Sequence, residues 1–293
     1  MGIGQQIIGI YNELFSRINR NEINNVCELG RQNLAINNNI DPKIFKLFSL
    51  FNKNPPKEIL GIAPQDNWGV RAKILYEGLG IDYFSIDIDN EEKNEDSKTN
   101  FAIDLNFSSI DKNLFNKFNL VTNFGTSEHI FNQLNFFKTM HDLTSVNGYM
   151  ISEVPCMFGL NHGMYKYEPK FFTDIARSNA YNIIGFWVVL DPPSESVYPW
   201  SEQLHIKNCS DMSIITIMQK TNNNEFCVPL CGNYEMKIKD KNLKKYNYNV
   251  DGLIISGEKT KYILRNKNDI SHLKKEVLFT EIFKRFKRKI GLS

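Results

Sequence analysis

Hydrophobic residues recur at helical and at strand-like spacings along the first 220 positions. In residues 4–19 they fall three and four positions apart, which predicts an amphipathic N-terminal helix. The same spacing predicts helices after Asp41 and over 67–79, 130–143 and 169–180. Between and after these helices lie apolar runs that predict strands over 23–29, 83–88, 101–105, 120–124, 149–154, 182–190 and 212–219.

This alternation of strands and helices predicts an α/β fold. We expect a Rossmann-like, mostly parallel, seven-stranded sheet with helices on both faces, in a domain over 1–220. The helical stretch at about 36–53 has the character of an insertion, and a lid is one interpretation of it. Beyond 221 the pattern changes to an Asn-rich turn, strand-like pieces and a basic helix over 270–290, which predicts a C-terminal α+β accessory segment over 221–293.

The net charge of +2 over 293 residues is the sum of a basic C-terminal part and an acidic remainder. Residues 235–293 contain sixteen Lys and Arg against seven Asp and Glu, a net charge of +9, so the remainder carries −7. The C-terminal helix has an apolar stripe and a basic end. Its favoured interpretation is packing on the body with a solvated end; peripheral contact with an anionic surface is the second. We expect no nucleic-acid binding, because no recognised motif accompanies the charge.

Several other features bound the class of protein. No apolar run approaches the roughly 18 residues of a membrane span, so no transmembrane segment is expected. Five cysteines, an odd number spread along the chain, favour a reducing cytoplasm. Only Cys227 and Cys231 lie close together, and no second Cys or His pair stands at zinc-finger spacing. No metal site is therefore predicted.

Acids, amides and glycines follow four of the predicted strands. Ligands of open parallel sheets bind at the carboxyl ends of strands, where glycine lets backbone approach a ligand and carboxylates accept hydrogen bonds from hydroxyl or amino groups. A single Asp after a strand is more often a turn former or a helix cap. The candidate binding residues are Glu28, Gly30, Gln32, Asp87, Asp104, Asn123, Gly125 and Thr126.

The segments VCELGRQ, YFSIDID, FAIDLN, FNLVTNFGTSEHIFNQ and GYMISEVP, with a later NHG, form an ordered series. They resemble the motifs of the Rossmann-like, class I S-adenosylmethionine-dependent methyltransferases, and in particular a bacterial subgroup with ELGxQ, NFGTxEH and NHG motifs. The resemblance covers roughly residues 22–190. It implies that Glu28 and Gly30 flank the methionine part of S-adenosylmethionine, Asp87 holds the ribose, Asp104 contacts the adenine, and residues 123–126 line the pocket beside the sulfonium.

This chain departs from that family in its first motif. The usual motif has three spaced glycines, whereas only Gly30 is present, followed by Arg31 and Gln32. About 57 positions separate Gly30 from Asp87, and Asp89 competes with Asp87 as the ribose ligand. The chain also lacks GxGxxG and GxxxxGKS/T, the phosphate-binding patterns of dinucleotide and nucleoside triphosphate enzymes.

Methyl transfer needs a positioned acceptor and, for a hydroxyl or a protonated amine, a base. The catalytic candidates are His162, His129 and Glu128. His162 is expected as base or acceptor ligand, with a loop-ordering role as the alternative, and His129 can equally cap the following helix. The resemblance implies methylation of a small molecule or glycan precursor. The alternative is a catalytically degenerate binding module.

Overall fold

The computed structural model describes residues 2–35, 42–60, 70–88, 99–158, 161–190, 196–200 and 211–231. The helices of these residues are α1 (Gln5–Arg17), α2 (Pro42–Leu50), α3 (Lys57–Leu60), α4 (Lys73–Leu79), α5 (Gln133–Leu143) and α6 (Pro169–Ser178). The strands are β1 (Asn25–Leu29), β2 (Asn33–Leu34), β3 (Val70–Arg71), β4 (Asp82–Asp87), β5 (Asn100–Ala102), β6 (Phe118–Phe124), β7 (Thr144–Phe158), β8 (Asn182–Leu190), β9 (Ser196–Pro199) and β10 (Asp211–Gln219).

Eight of the described strands form one sheet in the order β5-β4-β1-β6-β7-β10-β8-β9. Strands β5, β4, β1, β6 and β7 pair in parallel, and β10 runs antiparallel between β7 and β8. The predicted mostly parallel, Rossmann-like sheet is confirmed. The short edge strand β9 adds an eighth strand to the predicted seven, and β2 and β3 form a separate two-stranded pair. These short strands were missed because two to four residues are too few to show an alternating pattern.

The chain changes direction across the sheet at β1. From β1 it adds β4 and β5 on one side, and it then returns to place β6 on the other side of β1. The loops that leave β1 and β6 therefore diverge at the same edge. Such a reversal opens a crevice at the carboxyl ends of the two strands, which is where open α/β sheets bind ligands.

Helices cover both faces of the sheet, as the alternation of the sequence predicted. Neighbouring strand residues point to opposite faces: Val26 packs with α1, α2 and α4, whereas Cys27 packs with α5 and α6. Aromatic side chains fill both layers, with Tyr11 and Phe48 buried on the first face and Phe172 on the second. The two layers hold the strands, and so their carboxyl ends, in fixed positions.

Helix α2 belongs to the core of the protein. The predicted insertion spanned about 36–53, and its residues 36–41 lie outside the described residues. Within α2, Ile44, Leu47 and Phe48 are buried in the same cluster as α1, and the Asn12 side-chain amide donates to the Lys43 carbonyl at 2.8 Å. A helix with its apolar face packed in this way is a structural layer, which argues against a lid, and the insertion itself stays a prediction.

One strand is longer than predicted, and two helices begin later than predicted. Strand β7 is longer than the predicted 149–154 because the chain passes from α5 into the sheet at Thr144 without a loop. The predicted helix over 67–79 begins only at Lys73, after β3. A 3₁₀ turn at Ser127–His129 precedes α5, which starts at Gln133 instead of 130.

Several predictions concern residues beyond those described. Residues 232–293 of the predicted 221–293 extension, with its basic helix and the proposed contact with an anionic surface, lie outside the described residues, and so does Asp89. The domain division at 220 stays a prediction. Among the described helices, none is long and apolar enough to cross a membrane.

Lys220, the residue after β10, is buried and forms a network of hydrogen bonds. Its ammonium group donates to Asn116 Oδ1 at 2.8 Å and to the carbonyls of His141 and Thr144, each at 2.9 Å. Burial lowers the pKa of Lys220 to about 8. Three acceptors satisfy the three donors of a lysine ammonium, so this charge is tolerated in the interior.

The position of α2 can be tested with two phenylalanines on the same helix. Phe48 is 0% exposed and Phe45 is 46% exposed. We expect Phe48→Ala to lower the free energy of unfolding by about 3–5 kcal/mol, because it leaves a cavity in the core, and Phe45→Ala to lower it by less than about 1 kcal/mol. Urea denaturation of both variants measures the difference. Equal and small losses would show that α2 is not part of the core.

Candidate functional site

The ends of β1 and β6 touch at the point where the strand order reverses. Gly30 and Gly125, which follow these strands, both have φ of +77°, a conformation that favours glycine. A Cβ atom on Gly30 would lie 2.1 Å from Thr126 Oγ1, and the Gln32 amide donates to the same oxygen at 3.4 Å. The predicted binding residues of these two segments are therefore brought together.

Glu28 is buried beneath this contact. Its Oε2 accepts hydrogen bonds from the Gln32 backbone N–H at 2.8 Å and from the Tyr83 hydroxyl at 2.7 Å. Its other oxygen, Oε1, and the side-chain oxygen of Gln32 are both buried without a hydrogen-bond partner among the described residues. Two unpaired acceptors at one strand end are costly unless a proton on Glu28 or a ligand supplies donors.

Burial raises the pKa of Glu28 to about 7, although the hydrogen bonds from Gln32 and Tyr83 act in the opposite direction. Tyr83 stacks on Tyr76, with ring centroids 5.9 Å apart, and the Tyr76 and Tyr11 hydroxyls are 2.6 Å apart. These three tyrosines thus exclude water from the side of Glu28 that faces the core, which explains why its ionised form is disfavoured.

Asp87 lies at the end of β4 and is engaged by the chain that leaves β1. Its Oδ2 accepts from the Arg31 backbone N–H at 2.8 Å and lies 3.5 Å from Arg31 Nε, while Oδ1 accepts from the Ile88 N–H at 2.7 Å. The Arg31 side chain is only 5% exposed. Arg31 thus holds Asp87 at the crevice, in the place where the related motif has glycine.

Asp104 and Asn123 mainly shape the loops that carry them. Asp104 Oδ1 accepts from the Asn106 backbone N–H at 2.9 Å, a local turn contact. The buried Asn123 accepts from the backbone of Ser127 at 3.1 Å and donates to the Ser127 hydroxyl at 3.0 Å. Asn123 therefore stabilises the turn after β6, and both polar atoms of its side chain are already engaged in hydrogen bonds within the protein.

Glu128, His129 and His162 form one cluster, which we name the Glu–His–His cluster. His162 Nε2 lies 3.4 Å and His129 Nε2 lies 4.0 Å from Glu128 Oε1, and the two rings are 5.3 Å apart. The Glu128 side chain is 0% exposed, whereas those of His129 and His162 are 48% and 39% exposed. The three predicted catalytic residues, taken from two adjacent strand ends, are thus together, with the carboxylate at the base and the imidazoles at the surface.

The NHG segment is held on Glu128 by backbone contacts. The Glu128 carbonyl accepts from the N–H of Met164 at 2.8 Å and of Tyr165 at 3.3 Å. A Cβ atom on Gly163 would lie 2.7 Å from Glu128 Cγ. The glycine therefore permits the close contact that brings His162 against the carboxylate.

Burial governs the protonation of the Glu–His–His cluster. It raises the pKa of Glu128, with the backbone N–H of Glu128 itself and then His129 acting in the opposite direction, and it lowers the pKa of His162, with a contribution from the nearby Lys166. Both Glu128 oxygens are buried, and neither accepts a hydrogen bond from another described residue. At neutral pH the His162 imidazole is therefore available as a neutral acceptor or ligand.

Sequence reasoning missed the roles of Arg31 and Tyr83. Arg31 was noted only as a departure from a glycine-rich motif, yet it organises Asp87. Tyr83 lies within an apolar run, and nothing in the sequence indicated that its hydroxyl reaches Glu28 across the β1–β4 pair. In that register Tyr83 pairs with Val26, two positions before Glu28 on β1.

Comparison with known proteins adds few constraints. The chain matches no described protein family and no curated protein by sequence. Three similar solved structures are the 1,6-didemethyltoxoflavin-N1-methyltransferase of Burkholderia thailandensis with bound S-adenosylhomocysteine, residues 961–1257 of the StiE O-MT, and the MccD protein. Their identities to this chain are 8%, 10% and 12%, and their TM-scores are 0.40, 0.39 and 0.39.

The matches extend over most of each chain. They cover 73%, 75% and 74% of this chain and 78%, 75% and 97% of the respective structures. The strand order and the site described above establish the class independently: the chain is a Rossmann-like, doubly wound α/β protein with a polar crevice at its topological reversal.

The environment of Glu28 predicts a pH dependence of stability. Because its pKa is raised from 4.5 to about 7, the folded protein holds a proton that the unfolded chain releases, and the free energy of unfolding falls as pH rises from about 4.5 to 7. For Glu28 alone the fall is up to about 3 kcal/mol. We expect Glu28→Gln to abolish this component in urea denaturation at pH 5 and 7.5.

The exposed Glu58 on α3 provides the matched control. The variant Glu58→Gln should retain the wild-type dependence on pH, since it leaves the buried carboxyl in place. A Glu28→Gln variant with the wild-type dependence would show that Glu28 is ionised in the folded protein throughout this range.

Proposed function

We propose that this protein is an S-adenosylmethionine-dependent methyltransferase that acts on a small molecule or glycan precursor. The observation that carries the proposal is the pair of buried, unpartnered acceptors, Glu28 Oε1 and Gln32 Oε1, at the reversal of the sheet. The amino group of S-adenosylmethionine offers three donors for such acceptors, and its sulfonium adds positive charge near a carboxylate. The motif resemblance of residues 22–190 points to the same cofactor.

The remaining residues of the crevice fit the other parts of the cofactor. Gly30 and Gly125 present backbone without side chains, which allows close approach. Asp87 would hold the ribose: each of its oxygens already accepts a backbone hydrogen bond, and a carboxylate oxygen can accept a second. Asp104 would receive the adenine amino group, since its Oδ1 makes only a local turn contact.

When bound, S-adenosylmethionine supplies a methyl group whose carbon–sulfur bond breaks as the acceptor atom bonds to the methyl carbon. The chain's own contribution is to position the acceptor and to deal with its proton. We assign the acceptor side to the Glu–His–His cluster, because it lies at the adjacent strand end and presents two imidazoles to solvent. His162 is the base or the acceptor ligand, and Glu128 at 3.4 Å orients it.

The second candidate function is a methyltransferase-like binding module without turnover. Arg31 favours it, since a buried guanidinium stands where the related motif has glycine and brings a positive charge close to a cationic cofactor. Methyl transfer separates the two candidates, because only the enzyme turns over, whereas an absence of cofactor binding excludes the enzyme.

Isothermal titration calorimetry with S-adenosylmethionine and S-adenosylhomocysteine tests the proposal. We expect binding of both, and a 5- to 150-fold weaker affinity in Asp87→Asn, which corresponds to the roughly 1–3 kcal/mol cost of leaving polar partners unpaired. Asp82→Asn, at the exposed start of the same strand, is the control and should bind as wild type does. An absence of binding at millimolar ligand would overturn the enzyme proposal.

The role of His162 has a separate test. We expect His162→Ala to lower transfer of a tritiated methyl group into a small-molecule extract at least 100-fold while the affinity for S-adenosylhomocysteine stays within twofold. The exposed Met164 on the same loop is the control, and Met164→Ala should retain transfer. Parallel losses of transfer and affinity in His162→Ala would instead indicate that His162 only orders its loop.

A further inference from the structure

We propose that the Glu–His–His cluster is a binding site for a divalent transition-metal ion. The sequence predicted no metal site, because Glu128 and His162 are 34 positions apart and no spacing motif connects them. The fold brings one carboxylate and two imidazoles together at the ends of β6 and β7. Their candidate ligand atoms all lie within 4.8 Å of one another.

The distances are close to those of a formed metal site. Zinc lies about 2.0–2.2 Å from His nitrogen and carboxylate oxygen, so two ligand atoms on one ion are roughly 3–3.5 Å apart. His162 Nε2 already lies 3.4 Å from Glu128 Oε1, and His129 Nε2 lies 4.0 Å from the same oxygen. The His129 side chain is 48% exposed, so packing leaves it room to rotate toward an ion.

The unpartnered carboxylate of Glu128 is an independent indication of a bound cation. The side chain is 0% exposed, and neither oxygen accepts a hydrogen bond from another described residue. A buried carboxyl group with so few donors is unfavourable in its ionised form unless a positive charge compensates it. In the described part of the chain, the salt-bridge partners found for Glu128 are the two histidines, which are themselves metal ligands when neutral.

The ligand set indicates the class of ion. Two imidazoles and one carboxylate suit Zn²⁺, Fe²⁺, Co²⁺ or Mn²⁺, whereas Mg²⁺ and Ca²⁺ prefer all-oxygen sites. Glu128 closes the site from below, and the two histidines are exposed at its rim. Three protein ligands on one side leave open positions toward solvent, which is the arrangement of catalytic and not of structural metal sites.

Those open positions would take oxygen atoms of water or of the methyl acceptor. Metal binding itself does not depend on the proposed function, but this role of the ion rests on it. A bound ion would favour the deprotonated form of an acceptor hydroxyl. The acceptor class that such a site would select is one with an oxygen nucleophile, and with the ion bound His162 would hold the ion, so that the ion would take over the role of the base proposed above.

The test uses full-length protein without a histidine tag, stripped with a chelating resin and titrated with Co²⁺. We expect one equivalent to produce visible absorption bands of a nitrogen- and oxygen-bound cobalt ion, and Zn²⁺ to displace it. Glu128→Gln, His129→Ala and His162→Ala should each weaken Co²⁺ binding at least tenfold. Glu168→Gln, which removes an exposed carboxylate outside the cluster, is the control and should bind as wild type does.

Thermal unfolding and S-adenosylhomocysteine affinity are measured on the same variants, so that a loss of folding is distinguished from a loss of ligands. Full Co²⁺ affinity in any of the three cluster variants would overturn the three-ligand site, as would the absence of cobalt bands in the wild type. Cobalt binding without binding of S-adenosylhomocysteine would support the metal site and contradict the proposed methyltransferase. Binding of S-adenosylhomocysteine without binding of cobalt would support the proposed methyltransferase and contradict the metal site.

Discussion

The contact between Gly30 and Thr126 is the constraint on which the crevice depends. The reversal of strand order at β1 brings the loops after β1 and β6 to the same edge, but only a residue without a side chain lets them meet there. Once they meet, the Gln32 amide reaches Thr126 and its backbone N–H reaches Glu28. The helices on both faces matter for function because they fix the positions of these strand ends.

Two buried glutamates divide the crevice into two chemical environments. Glu28 accepts two hydrogen bonds through Oε2, and its Oε1 has no partner among the described residues. One further hydrogen-bond donor would therefore satisfy this carboxyl group. Glu128 accepts no hydrogen bond from another described residue and faces two histidines, so it needs a charge. The first environment suits an ammonium group, and the second suits a metal ion or a protonated imidazole. Their separation on neighbouring strand ends is consistent with a donor and an acceptor held side by side.

Much of the fold could be predicted from the sequence, because long strands and amphipathic helices have strong periodic patterns. Strand β8 was predicted at its observed bounds. Strands β2, β3 and β9 were not, since pairing over two to four residues depends on tertiary contacts. Site residues next to strand ends were identifiable from position alone. The pairing of Arg31 with Asp87 and of Tyr83 with Glu28 was not, because both join residues more than 50 positions apart through the register of β1 with β4.

The Lys220 network has a consequence for how the basic end of the chain relates to the crevice. Because β10 runs antiparallel to its neighbours, its last residue, Gln219, pairs with Tyr149 in the N-terminal half of β7. Lys220 and the stretch that follows are then bound to the ends of α5 and α6, through the His141 carbonyl and through Asn179, which contacts Cys227. The chain therefore departs toward residue 231 from the edge of the sheet opposite the crevice. A molecule that contacts residues 221–231 would therefore lie on the side of the protein away from the crevice and would leave the opening of the crevice accessible to a diffusing ligand.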